Sequence, residues 1–149
     1  MTSSELDFRI DTSDSGEIER HLHACDHMFH PSLSSRVDIP AYSAKLADSA
    51  RCVEAWDGTE LVGLVAGYVN ANSRELFISN VSVLEPQSGQ GLATRLMRLA
   101  LDDAGSRGCD TVRLEVSESA AAANRLYKTL GFEQTGASIN GVLTLKISI

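Results

Sequence analysis

The chain has 149 residues, is 43% hydrophobic and 22% charged, and carries a formal net charge of −7. That length predicts one ordinary domain over 1–149, long enough to bury its own core. The acidic balance argues against a nucleic-acid partner, and no apolar run approaches the ~20 residues of a membrane span, so neither nucleic acid nor membrane is expected as a partner. The leading stretch MTSSELDFRI lacks the basic and apolar regions of a signal peptide, so a cytoplasmic protein is expected. Cys25, Cys52 and Cys109 form no CxxC and read as reduced thiols, not as a disulfide framework or zinc site.

In chain order, Asp7–Ile10 reads as a short strand. Ser13 or Asp14 can cap a helix from about Gly16 to Phe29, ended by Pro31. Asp38 caps a second helix, Ile39–Ala50, with Pro40 in its first turn. Then the period changes. Arg51–Trp56, the turn Asp57-Gly58 and Glu60–Asn70 read as a β-hairpin, and Glu75–Val83 as the next strand. Two glycines lead into a helix from about Gly91 to Ser106, with Leu92, Leu96, Leu99 and Ala100 on one stripe. Thr111–Val116 is a strand, Ser119–Leu130 a helix, and Gly131 its left-handed cap. Phe132–Ser138 and Val142–Ser148 close the chain as strands. The order is β-α-α-β-β-β-α-β-α-β-β, a mixed sheet with helices on its faces.

Gly89 and Gly91 bring bare backbone to the start of the Gly91–Ser106 helix. Free N–H groups and the positive end of the dipole there form a site for a phosphate or pyrophosphate. A P-loop is excluded, because no Gly-Lys-Ser/Thr follows. A Rossmann dinucleotide site is disfavoured: Thr94 stands at the third glycine position, and Leu84–Ser88 separates strand from glycines where that fold turns tightly.

Ser88-Gly89-Gln90-Gly91-Leu92-Ala93 resembles (Arg/Gln)-x-x-Gly-x-(Gly/Ala), the strand-to-helix signature of the Gcn5-related N-acetyltransferase (GNAT) superfamily. Ala123-Asn124-Arg125-Leu126-Tyr127-Lys128-Thr129-Leu130-Gly131-Phe132 resembles its second signature, Ala-x-x-Leu-Tyr-x-x-x-Gly-Phe. The resemblance implies an α/β (α+β) fold with a mixed, mostly antiparallel central sheet of about seven strands and helices on both faces. Three positions depart from the pattern. Ser88 stands where Arg or Gln opens the first signature, Pro86 is displaced by one, and Ala120 replaces a cofactor-side Asn, with Asn124 nearby.

The resemblance also implies the reaction: transfer of acetyl from acetyl-CoA, a co-substrate, to a primary amine, without a metal. Backbone N–H groups of Gly89, Gln90, Gly91, Leu92, Ala93 and Thr94, with Ser88, would hold the pyrophosphate. Val81, Ser82 and Val83 would take the pantetheine arm like an extra strand, splayed from Thr111–Val116. Backbone near Val81 would meet the oxyanion. Asn124 is counted on the cofactor side.

Tyr127 is the candidate general acid, since a phenol is mostly protonated at neutral pH and can donate to a thiolate; the other reading is packing on the inner helix face. Glu115 is the candidate base, and Leu114-Glu115-Val116 resembles the ribosomal-protein alanine acetyltransferases at that point. The other readings are a solvated carboxylate or an ion pair with Arg113 or Arg125, with a water chain or a histidine of the first helix as base. His23, His27 and His30 share a helical face, but they and His21 read as surface or acceptor-cleft side chains.

Phe29–Tyr42 resembles a subgroup carrying Pro-x-Leu-Ser-x-Arg-Val-Asp, which hints at amino-sugar acceptors. Arg36 and Asp38 read either as specificity residues or as a helix start and cap. The expected acceptor is a small-molecule amine, an amino sugar or amino-acid-like metabolite. A protein N-terminal or lysine acceptor, and a non-catalytic acyl-CoA-binding module, remain the alternatives. A homodimer is compatible with this reading.

Overall fold

A computed structural model describes residues 5–149. The elements are β1 (Asp7–Ile10), α1 (Ser15–Cys25), α2 (Ile39–Ser49), β2 (Arg51–Asp57), β3 (Glu60–Asn70), β4 (Glu75–Val83), α3 (Leu92–Ser106), β5 (Thr111–Ser117), α4 (Ala121–Leu130), β6 (Glu133–Gln134) and β7 (Val142–Ser148). They form one seven-stranded sheet in the order β1-β2-β3-β4-β5-β7-β6. Only β4 and β5 pair in parallel; the other neighbours are antiparallel. The mixed, mostly antiparallel α/β architecture expected from the sequence is the one observed.

Three boundaries differ from expectation by two residues or more. α1 stops at Cys25 instead of Phe29, and a 3-10 turn, Asp26–Met28, follows. The Asp26 carboxylate accepts the Ser34 N–H at 2.8 Å, which folds the following loop back against the helix end. α4 starts at Ala121, not Ser119, because Ser117 and Ser119 bond each other in a turn ahead of it. β6 holds two residues, not Phe132–Ser138. Gly136 turns there with φ +74°, and Gln134 Nε2 donates to its carbonyl.

The sheet separates two cores. On one face Ile18 and Leu22 of α1 and Leu46 of α2 pack on Trp56, Leu61 and Leu64. On the other, Leu96 and Met97 of α3 and Tyr127 of α4 pack on Val53, Val65, Ile78 and Leu114. Each such aliphatic side chain contributes roughly 1.5–3 kcal/mol when fully buried.

Glu54 of β2 lies fully buried in the first core. Its carboxylate accepts the N–H and hydroxyl of both Thr12 and Ser13 and the Trp56 indole N–H. Burial alone would raise its pKa, but these donors outweigh it and hold the carboxyl below the ordinary range. The network fixes the approach to α1, whose start is closed by a reciprocal box between Asp14 and Glu17.

β4 carries a bulge. Ile78 faces Gly67 and Asn80 faces Ala66, so Ser79 is the extra residue. Before it, Leu76 and Ile78 point to the α3/α4 core. After it, Val81 and Val83 share that face, while Asn80 and Ser82 turn to α1. Gly67 is required opposite the bulge: a Cβ there would sit 2.7 Å from the Phe77 carbonyl oxygen.

Candidate active site

The bulge coincides with a parting of strands. β4 and β5 pair from Glu75 opposite Thr111 to Ile78 opposite Leu114 and no further. Beyond that point β3 still holds β4 to Val83, and β7 still holds β5 to Ser117. Each strand keeps its outer partner while the inner edges diverge. A cleft of about 580 Å³ opens between them and continues to the glycine loop.

At the loop end, a 3-10 turn, Glu85–Gln87, delivers the chain to the glycines. Gly91 is the N-cap of α3 with φ +81° and supplies no capping side chain. A Cβ there would meet nothing within 4 Å, so the glycine serves the left-handed backbone, not a close approach. The first bond of α3 runs from Arg95 N–H to the Gly91 carbonyl at 3.1 Å. The amides of Leu92, Ala93 and Thr94 therefore have no partner inside the helix, an arrangement suited to an anion.

Ser88, Gly89, Gly91, Leu92, Ala93 and Thr94 all line the cleft, as do Val81, Ser82 and Val83. Some give backbone only. Leu92 buries its side chain in the core. The Ser88 hydroxyl donates to Glu85 O at 2.7 Å and stiffens the loop. The Ser82 hydroxyl lies 2.8 Å from His21 Nε2. Two expected residues fall outside the cleft lining. Gln90 Nε2 donates to Pro86 O, bracing the loop. Asn124 Nδ2 donates to Ser117 O and Ala120 O, so its amide ties the start of α4 instead of facing the cofactor side.

Tyr127 and Glu115 both line the cleft, on opposite faces of the sheet. Tyr127 belongs to the α3/α4 core, and burial raises its pKa to about 12. Its hydroxyl thus stays protonated across neutral pH, and it makes no hydrogen bond to another described residue. Glu115 follows Leu114 on β5, so its side chain alternates to the α1/α2 face. It is exposed, and no ion pair among the described residues reaches it. Arg113, one expected partner, bonds Glu75 instead, at 3.1 Å.

The histidines divide. His21, expected at the surface or in the acceptor cleft, is buried. Nδ1 lies 2.8 Å from Leu61 O and Nε2 2.8 Å from the Ser82 hydroxyl, and burial lowers its pKa to about 4. Its partners are 40 and 61 positions away in sequence, beyond any local pattern. His23 pairs with Glu19 and His27 with Glu85 at the surface. Only His30 reaches the cleft, beside Phe29 and Arg36. No metal-ligating cluster forms among the described residues. Sequence reasoning missed Asn80, which lines the cleft floor from the α1 face.

The open parallel pair and the glycine-capped helix together form one cleft with free amides at its end. Residues 17–132 match the acetyltransferase (GNAT) family, and the chain belongs to that family. It is similar to N-acetylaspartate synthetase of Homo sapiens, 33% identical over 106 residues, which cover 71% of this chain and 35% of that protein. It is also similar to streptothricin acetyltransferase of Streptomyces lavendulae, 33% identical over 90 residues, covering 60% of this chain and 48% of that protein. The chain thus spans between about a third and a half of the length of these curated relatives. Among solved structures, the Escherichia coli ribosomal-protein-S18-alanine N-acetyltransferase superposes with a TM-score of 0.76 at 20% identity, over 96% of this chain and 94% of that one. A Bacillus subtilis acetyltransferase in complex with CoA superposes with a TM-score of 0.74 at 20% identity, over 97% and 99%. These likenesses establish the fold.

Proposed function

We propose that the protein transfers acetyl from acetyl-CoA to the primary amine of a small molecule. The observation that carries this reading is the single cleft that runs from the free amides of α3 to Tyr127 and Glu115. An extended acyl-CoA laid along the open edge of β4 puts its pyrophosphate on Leu92–Thr94 and its thioester between the two side chains. The amine attacks the thioester carbonyl, forming a C–N bond, and the C–S bond breaks. Glu115, from the α1/α2 face, takes the amine proton, directly or through water. Tyr127, from the α3/α4 face, protonates the leaving thiolate. Backbone N–H groups beside the bulge meet the oxyanion.

Arg36 supports a small acceptor. It lines the cleft, its guanidinium lies 6.0 Å from the Phe29 ring centroid, and it has no acidic partner among the described residues. A free guanidinium suits an amine that also carries a carboxylate. The relatives' names are consistent with small acceptors, one naming an N-acetylated amino acid as its product and one naming streptothricin. A cytoplasmic location fits this chemistry. The test is CoA-thiol release with a panel of glucosamine, L-aspartate, spermidine and an alanine-starting peptide. Turnover of peptide alone would replace the small-molecule reading; binding of acetyl-CoA without turnover of any amine would make the protein an acyl-CoA-binding module.

A further inference from the structure

Asn80 stands two residues past the last β4–β5 pair, with 3% of its surface exposed. Its side-chain orientation is determined by its neighbours. Leu64 O, 3.3 Å away, can only accept, so Nδ2 faces it, and Nδ2 also donates to the Ser82 hydroxyl oxygen at 2.9 Å. The chain of donors continues in one direction. Leu61 O can only accept, so His21 Nδ1 carries the proton, and bare Nε2 accepts from the Ser82 O–H. Four groups on three elements thereby lock the Asn80 amide.

What remains is Oδ1. It is buried and has no hydrogen-bond partner among the described residues. A buried acceptor without a partner is costly, and native proteins rarely leave one unless a ligand or water completes it. Asn80 lines the cleft. Because Ser79 is bulged, it does so from the α1/α2 face, which Glu115 and Arg36 share and the anion-binding start of α3 does not.

We propose that Asn80 binds the attacking amine, Oδ1 accepting one N–H of the neutral nitrogen and leaving its lone pair free for the thioester carbonyl. This rests on the acetyl-transfer reading above. Asn80 exchanges no proton: the proton lost by the amine goes to Glu115 or water, and the thiolate receives its own from Tyr127. The His21–Ser82 chain positions Asn80 and touches neither substrate.

The test uses Asn80→Leu, which keeps the branched outline of the side chain and removes the acceptor, assayed with whichever amine of the panel the wild type acetylates fastest. We expect kcat/KM for the amine to fall about 10- to 100-fold. The Kd for CoA by calorimetry should change less than about threefold, and the pH–rate profile should keep its shape. Ser82→Ala, which loosens the amide but leaves Oδ1 in place, should show a smaller loss of the same kind. A folded Asn80→Leu with unchanged amine kinetics overturns the proposal, as does loss of CoA affinity in step with turnover. Should Asn80→Leu not fold, Asn80→Ser is read in the same way. A wild type that acetylates no amine overturns the acetyl-transfer reading together with this one, whereas an active wild type indifferent to Asn80 overturns this one alone.

Discussion

The ring of Phe132 meets Tyr127 edge-on, with centroids 5.8 Å apart and planes at 61°. This contact anchors the aromatic ring independently of its hydroxyl, so packing and acid chemistry at Tyr127 can be separated. Tyr127→Phe should keep the contact and the fold. Turnover should drop about 10²- to 10⁴-fold with CoA affinity nearly unchanged. Because burial raises the phenol to about 12, any alkaline fall in wild-type rate below about pH 10 should persist in the variant. Unchanged turnover under conditions where chemistry is rate-limiting would assign the residue to packing alone.

Gly91→Asp adds backbone strain at φ +81° and a negative charge at the anion site. Affinity for CoA should fall at least about 100-fold, while Gly91→Asn, which tolerates the left-handed backbone, should lose far less. Calorimetric titration of both variants decides between charge and strain. Equal losses would show that strain, not charge, governs the site.

Among the described residues Glu115 has no ion-pair partner to occupy it, and it points to the α1/α2 face of the sheet. Glu115→Gln should lower kcat about 10²-fold and most at low pH, where the amine is most protonated. A pH–rate profile whose acidic limb survives the substitution would hand the proton to a water chain or to His30, the one histidine that lines the cleft.

Arg36→Ala should raise the acceptor KM about tenfold and leave the acetyl-CoA KM alone, since Arg36 stands on the α1/α2 side and the anion site on the other. The effect should be largest for amines bearing a carboxylate. An equal loss for glucosamine and aspartate would remove the carboxylate anchor.

His21 sets an acid limit to stability. Its folded pKa is lowered to about 4, against an unfolded value near 6.5. Below 6.5 the unfolded chain binds a proton the folded chain refuses, so stability falls as pH drops, by about 2 kcal/mol between pH 6.5 and 5. Glu54 acts lower: its depressed carboxyl contributes stability above the unfolded carboxylate range, lost as pH falls through the folded value. Urea unfolding at pH 6.5 and 5 should show the decline in the wild type and a smaller one in His21→Gln. The same decline in both would exclude His21 as its source.

Local signals carried much of the fold. Asp14, Asp38, Gly131 and the Asp57-Gly58 turn marked helix and hairpin ends where the structure has them. The glycine loop was legible because backbone conformation is a short-range property, whereas helical spacing placed Tyr127 only on the inner face and the second family signature singled it out. His21 and Asn80 were not. His21 lies on α1 among residues that read as a polar face, and only Leu61 and Ser82, brought near by the sheet, make it a buried group. Asn80 owes its direction to one extra residue in β4, and alternation read from the sequence alone places it on the wrong side. Asn124 turned elsewhere for a related reason: its amide found the nearby carbonyls Ser117 O and Ala120 O.

The bulge at Ser79 splits β4 into two reading frames. Upstream, odd and even positions have one meaning; downstream they exchange it. Straightening the strand with Ser79 kept as a regular paired residue would turn Val81 and Val83 toward His21 and push Asn80 and Ser82 into the hydrocarbon beneath α3. A segment grafted from a relative into this strand can therefore preserve every residue type and still invert the cleft, unless the junction respects the frame in which each half is written.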